Sequence, residues 1–224
     1  MRIIAHRGAS AEHPENSEAA FRRALEIGVD GIELDLNLTR DGRLAVRHDD
    51  LIEFEGSWAF LRELTMEEIQ RVDLGGGEKI LSFDDALDLL GGRCPVVADI
   101  KSFGTAPLLH ECLKKRGPIE GLHVTSFLHA EVLKMTKLRP GIDWSFTLSA
   151  IPLGFQELLR ASGARAVSLF RGYLTEESIR ELTSAGVRTF AYPVNIPREA
   201  RAFASWGMDA IYTDDPAGMR RAGL

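Results

Sequence analysis

The sequence predicts an α/β protein folded as a TIM (β/α)8-type barrel, with an atypical hairpin between its second and third strands. Three observations predict it. Short β-rich runs alternate with amphipathic helical stretches along the whole chain. Its 224 residues are an ordinary length for one such barrel. Polar and charged residues gather where the apolar runs end, and a βα barrel carries its chemistry at the C-terminal ends of its strands.

Each element follows in order. "RIIAH" reads as the first strand, and "NSEAAFRRALEIG" as a helix with Ala20, Ala24 and Ile27 at helical spacing, stopped by Gly28. "VDGIELDLNL" is the second strand, "TRDG" a turn and "RLAVRHD" a third strand. No crossover helix fits between these two strands, because a parallel pair needs about a dozen residues or more to cross over. They therefore form a hairpin turning at Asp41-Gly42, which sets His48 roughly opposite Asp35. "TMEEIQRVDL" and "SFDDALDLL" are helices capped by Thr65 and Ser82. "PVVADIK" is a buried strand. The cycle repeats through "LHVTSF", "AEVLKMTKL", "IDWSFTL", "LGFQELLRAS", "RAVSLF", "TEESIRELTSA", "VRTFAYPV", "PREARAFASWG" and "DAIYTD". No linker interrupts it, so residues 1–224 are expected to form a single barrel domain of about eight βα units. A doubly wound open sheet is the rival, and the lack of G-x-G-x-x-G after the first strand counts against a dinucleotide fold.

Composition narrows the partners. A net charge of −6 argues against a broad nucleic-acid footprint while leaving room for a small basic pocket. No segment is long enough to span a membrane, so no stable membrane insertion is expected. The apolar start is too short for a signal peptide and runs straight into His6-Arg7. Two cysteines, Cys94 and Cys112, make no disulfide framework and read as free thiols of a cytoplasmic protein. The exposed-looking aromatics of "FEGSWAF", Phe54, Trp58 and Phe60, are expected to pack over a barrel mouth.

The strand ends carry His6-Arg7, Glu33 and Asp35, His48-Asp49, Asp99 and Lys101, Ser126, Asn195 and Asp214-Asp215. Glu33 and Asp35 are two residues apart on a strand and share a face; Asp99 and Lys101 repeat the pattern. Charges facing a barrel interior are costly unless paired or bound to a metal. Three carboxylates, Glu33, Asp35 and Asp99, from two strands suggest one hard divalent cation, Mg²⁺ or Ca²⁺. Zinc is disfavoured by the lack of a Cys or His cluster with zinc spacing.

These residues resemble a known family. "AHRG" at His6 to Gly8, "PENS" at Pro14 to Ser17, "ELD" at Glu33 to Asp35, "TRDGRLAVRHDD" through His48, "DIK" at Asp99 to Lys101, "TSF" at Thr125 to Phe127 and the closing "GMDAIYTDDP" are similar to glycerophosphodiester phosphodiesterases, of the phospholipase-C-like phosphodiesterase superfamily. The resemblance implies a TIM barrel, a divalent cation, and hydrolysis of glycerophosphodiesters to glycerol 3-phosphate and an alcohol. The chain departs from it in places. Asp99 stands where the family usually has Glu, and Tyr192-Pro193-Val194-Asn195 where a Trp-Thr-Val-Asn pattern is usual.

Roles follow for a small anionic phosphodiester substrate. Glu33, Asp35 and Asp99 hold the cation. Arg7 offers a planar fork to phosphate oxygens and Lys101 a compact charge. Histidine is the side chain suited to proton transfer near neutral pH, so His6 and His48 supply base and acid in an order the sequence leaves open. Tyr192 lines the alcohol pocket. "PENS" shapes the loop above, with Asn16 or Ser17 capping the helix and Glu15 or Asn16 holding a histidine or a substrate hydroxyl. The same site could serve a lysophospholipid lyase of phospholipase-D type, or a non-catalytic barrel binding phosphate ligands.

Overall fold

The computed structural model describes residues 1–224. The chain forms strands β1 (Arg2–His6), β2 (Gly31–Leu38), β3 (Leu44–Val46), β4 (Leu51–Phe54), β5 (Ser57–Phe60), β6 (Leu81–Ser82), β7 (Val96–Ile100), β8 (Leu122–Ser126), β9 (Asp143–Leu148), β10 (Ala166–Phe170), β11 (Arg188–Tyr192) and β12 (Ala210–Thr213). Its helices are α1 (Glu18–Ile27), α2 (Met66–Ile69), α3 (Phe83–Leu90), α4 (Thr105–Arg116), α5 (His129–Leu138), α6 (Phe155–Ser162), α7 (Glu176–Ser184), α8 (Pro197–Trp206) and α9 (Pro216–Arg221).

Eight strands are parallel and close on themselves. The order runs β1-β12-β11-β10-β9-β8-β7-β2, and β1 pairs with β2 to seal the ring. This is the barrel the sequence predicts. The hairpin is there too: β3 runs antiparallel to β2 and carries β6 outside the ring. Its register differs by one residue from the expectation. Leu36 faces Val46, and the Arg47 N–H donates to the Asp35 carbonyl at 3.1 Å, so Arg47 rather than His48 lies opposite Asp35. The shift arises in the turn, where the Thr39 N–H and hydroxyl both bind the Arg43 carbonyl and close a wider loop.

Local signals account for the ends of most elements. Ser17, not Asn16, caps α1 by accepting the Ala20 N–H, and Gly28 ends it at φ 75°, which glycine adopts freely. Thr65 and Ser82 cap α2 and α3 through reciprocal capping boxes. The helix expected over "TMEEIQRVDL" shrinks to Met66–Ile69, because the chain beyond it turns into a bridge between Asp73 and Lys79.

The apolar core lies mainly between barrel and helices. Ile32, Leu34, Leu36, Ala98 and Val124 face Phe21, Phe83, Ala86 and Leu109 across one side, and Val167 and Leu169 face Phe155, Leu159 and Leu182 on another. The alternate residues of the same strands point into the ring. There the apolar set is small, Ile4, Val97, Ala166, Phe190, Ala210 and Tyr212. Much of the remaining interior is polar: Glu33, Asp99, His123, Thr125, Ser145, Thr147 and Ser168 are all buried. The "FEGSWAF" segment does not cover the mouth. It forms the β4–β5 hairpin, whose Ile52 packs on Leu61, Leu64, Met66, Ile69 and Ile80 beside the barrel, leaving Trp58 70% exposed.

Candidate active site

A cavity of about 200 Å³ opens at the C-terminal ends of the strands. His6, Arg7, Glu33, His48, Asp99, Lys101 and Tyr192 line it, and Asp35 lies fully buried behind them. All eight residues singled out from the sequence therefore meet in one place, delivered by β1, β2, β7, β11 and the strand following the hairpin turn.

The loop after β1 builds the first wall. Arg7 takes a left-handed backbone at φ 59°, a conformation that costs a non-glycine residue about 1–3 kcal/mol. This turns its N–H onto Glu33 Oε2 at 3.0 Å. The next residue must be glycine, because a Cβ on Gly8 would meet Ala20 at 2.7 Å. The Arg7 Nη1 donates to Glu15 at 2.7 Å and its Nε faces Asp35 at 3.1 Å, while Nη2 carries no hydrogen bond to the protein. Asn16 donates to Asp35 Oδ2 at 2.8 Å. Glu15 and Asn16 thus hold Arg7 and Asp35, and neither touches a histidine.

The three carboxylates form one cluster, their ligand atoms within 4.8 Å of one another. Lys101 Nζ lies 2.6 Å from Asp99 Oδ2 and 3.0 Å from Asp35 Oδ1. Burial, with Asp35 and Asp99 beside it, pushes the Glu33 carboxyl well above the usual carboxylate range. Burial likewise lifts Asp99 to about 6, against the pull of Lys101. Burial would raise Asp35 as well, but Lys101, Arg7 and Asn16 outweigh it and hold it low. Burial opposes the charge of Lys101, yet Asp99, Asp35 and Glu33 together raise its pKa.

Three buried carboxylates against two cations leave an excess of negative charge. The buried Oδ1 of Asp99 has no hydrogen-bond partner, and that of Asp35 faces only the Lys101 ammonium at 3.0 Å. Unsatisfied, convergent carboxylate oxygens are what a hard divalent cation requires, so these residues fit one.

The two histidines sit beside the cluster. His6 Nδ1 binds Asp214 Oδ1 at 2.7 Å, and His48 Nδ1 binds Asp49 Oδ1 at 2.8 Å. Neither Nε2 makes a hydrogen bond to the protein, so each ring keeps one nitrogen open to the cavity. The carboxylate partner of His48 is therefore Asp49 and not Asp35. The sequence marks Asp214 and Asn195 as strand ends and motif residues and assigns neither a role. In the structure Asn195 Nδ2 donates to Asp214 Oδ2 at 2.6 Å and Ser10 donates to Oδ1 at 3.2 Å. Burial would raise Asp214, but His6, Asn195 and Ser10 bring it down to about 2. The signal was available: in a closed barrel the last strand lies beside the first, and Ala5 is level with Thr213, which sets Asp214 beside His6.

Phe127, Phe170 and Tyr192 form the outer wall, with ring centroids 5.9 Å and 6.1 Å apart in edge-on pairs. The Tyr192 hydroxyl donates to the Leu148 carbonyl at 3.0 Å, which fixes the ring, and burial raises its pKa. The sequence marks Phe127 only as the end of the "TSF" motif and assigns Phe170 no role.

Fold and site together define a TIM-type barrel with carboxylates, cations and imidazoles gathered in one pocket at its strand ends. The family model for the glycerophosphoryl diester phosphodiesterase family matches residues 6–218. A glycerophosphodiester phosphodiesterase of Caldanaerobacter subterraneus subsp. tengcongensis is 30% identical, over 96% of this chain and 94% of that protein. One from Bacillus altitudinis is also 30% identical, over 96% and 95%. Among solved structures, an Oleispira antarctica phosphodiesterase in complex with the product sn-glycerol-3-phosphate superposes with a TM-score of 0.92, at 25% identity, over 99% of this chain and 96% of that one. The chain belongs to the glycerophosphoryl diester phosphodiesterase family.

Proposed function

We propose that this protein hydrolyses glycerophosphodiesters to glycerol 3-phosphate and an alcohol, using one divalent cation, Mg²⁺ or Ca²⁺, held by Glu33, Asp35 and Asp99. The observation that carries the reading is the buried carboxylate cluster set beside two imidazoles with open Nε2 atoms. Bound there, the cation supplies Lewis-acid stabilisation of charge on a phosphate oxygen.

The chain's own groups do the rest. Lys101 and the free Nη2 of Arg7 bind and orient the anionic phosphate. Asp214 and Asp49 each hold a histidine Nδ1–H, which leaves the Nε2 lone pair or proton facing the substrate. One imidazole takes the proton of the attacking water, or of the substrate's own 2-hydroxyl with water then opening the cyclic phosphate, and the other returns a proton to the departing alkoxide. Tyr192, with Phe127 and Phe170, receives the alcohol and excludes water from that side. The free thiols Cys94 and Cys112, with no disulfide between them, suit a reducing cytoplasm.

Release of glycerol 3-phosphate from glycerophosphocholine, before and after EDTA and after add-back of Mg²⁺ or Ca²⁺, tests this reading. Loss and recovery of activity are expected. Full activity in metal-stripped enzyme contradicts the carboxylate assignment, and a stable cyclic phosphate seen by phosphorus NMR assigns a lyase instead.

A further inference from the structure

A larger cavity, of about 460 Å³, lies at the opposite end of the barrel, where the strands begin. Arg2 of β1 and Arg188 of β11 border it on one side, and Arg139, from the turn before β9 that also carries Ile142, on the other. Pro95, Ile119 and Ile142 give it an apolar wall. Its volume falls in the small-molecule range of roughly 300–1,000 Å³.

The charges there are unevenly matched. Asp143 is bound by Arg188, whose Nη1 lies at 3.0 Å, and by His123 Nδ1 at 3.0 Å. Asp30 takes Arg220 at 3.0 Å and the Ile3 N–H at 2.7 Å. Both carboxylates at the cavity are thereby neutralised. Arg2 and Arg139 are hydrogen-bonded through their backbones alone, their N–H groups donating to the Asp209 and Met135 carbonyls, and their guanidiniums form no ion pair. The Arg2 guanidinium is nonetheless placed, over the Phe190 ring at 5.7 Å, with Arg188 against the same ring at 5.9 Å. His123, buried beneath them, keeps its Nε2 on Ser145 at 2.8 Å and adds no negative charge. The result is a cavity with an apolar side and two uncompensated guanidiniums, remote in the fold from the carboxylate cluster.

We propose that this cavity binds a small organic anion, with its oxyanion on Arg2 over the Phe190 ring and a compact apolar body against Pro95, Ile119 and Ile142, within the field of Arg139. A planar guanidinium fork suits a phosphate or carboxylate group, and the apolar wall selects an organic body over a bare inorganic ion.

Phenyl phosphate is a suitable probe. It is titrated into the ¹⁵N-labelled full-length protein while backbone amides are followed by NMR. Saturable shifts are expected at Gly31, Gly121, His123 and Gly141, separate from any at Lys101 and Phe127 of the mouth. The double variant Arg2→Gln/Arg139→Gln should weaken binding at the strand-start end by at least about tenfold, from loss of charge-assisted hydrogen bonds, and leave phosphodiesterase activity unchanged. Ile142→Trp, which fills the cavity and keeps both charges, should abolish the same shifts and decides the matter if the double variant does not fold. Saturable shifts at the mouth alone overturn the proposal, as do strand-start shifts of equal affinity in a folded double variant or in Ile142→Trp.

Discussion

The two ends of this barrel each carry a histidine held by an aspartate, and the two pairs differ in one nitrogen. At the mouth, His6 gives Nδ1 to Asp214 and leaves Nε2 open to the cavity. At the strand starts, His123 gives Nδ1 to Asp143 and its Nε2 to Ser145. The Ser145 hydroxyl also lies 2.8 Å from that of Thr125, which meets Thr147 at 2.7 Å, so His123 sits at the foot of a chain of hydroxyls filling the barrel interior. Burial lowers the pKa of His123, against the pull of Asp143, and favours the neutral ring. A His–Asp pair is therefore no signature of catalysis in itself. A reactive imidazole needs one nitrogen anchored and the other free at a surface a substrate can reach; with both nitrogens satisfied it is a building block.

The largest expected effect tests that contrast directly. His6→Ala should reduce kcat/KM on glycerophosphocholine by on the order of 10²–10⁴, as expected for loss of a general acid or base, with its circular dichroism spectrum unchanged. His123→Ala should leave kcat/KM within about threefold while lowering unfolding free energy by about 1–3 kcal/mol, the cost of stranding buried partners. The reverse ranking would break the comparison.

Next in size is the response of the carboxylate cluster. Glu33 and Asp99 have pKa values raised in the folded protein, Asp99 to about 6. A raised acid binds its proton more tightly when folded, so its penalty is absent below the ordinary carboxylate pKa and complete above the folded one. Metal-free protein should therefore lose stability as pH rises from about 4 through about 6, seen as a falling Tm. Mg²⁺ or Ca²⁺ should oppose that fall, and Asp99→Asn should flatten it while weakening metal affinity. A metal-free Tm that climbs over this range would contradict the cluster's assigned charge balance.

The smallest effect concerns selectivity. Tyr192→Trp should shift relative rates among glycerophosphodiesters by severalfold, since pocket contacts of this kind are worth about 1–3 kcal/mol. Equal changes for every alcohol would show that Tyr192 does not face the leaving group.

Much of this was legible in the sequence. Alternating periods of two and 3.6 gave the barrel, and the absence of room for a crossover gave the β2–β3 hairpin. Polar residues breaking apolar strand ends marked His6, Glu33, Asp35, His48, Asp99 and Lys101. What escaped was set by geometry across elements. The register slip of His48 depends on how Thr39 closes its turn. The grip of Asp214 on His6 depends on ring closure between the first and last strands. Glu15 and Asn16 hold Arg7 and Asp35 because the left-handed turn at Arg7 swings that loop back over β2, a conformation no local pattern announces. The hydroxyl interior was hidden because Ser and Thr in strands read as ordinary β-formers.

The most direct test of the central claim, that His6 and His48 are an acid–base pair with open Nε2 atoms, is a two-by-two comparison. Rates of His6→Ala and His48→Ala are measured on glycerophosphocholine and on a nitrophenyl phosphodiester, whose acidic leaving group needs no proton. Both variants should be nearly inactive on the first substrate. On the second, one variant should recover close to wild-type rates and thereby identify the acid, while the other should remain slower by on the order of 10²–10⁴. Full activity of either folded variant on glycerophosphocholine, or equal losses by both on both substrates, would contradict the account.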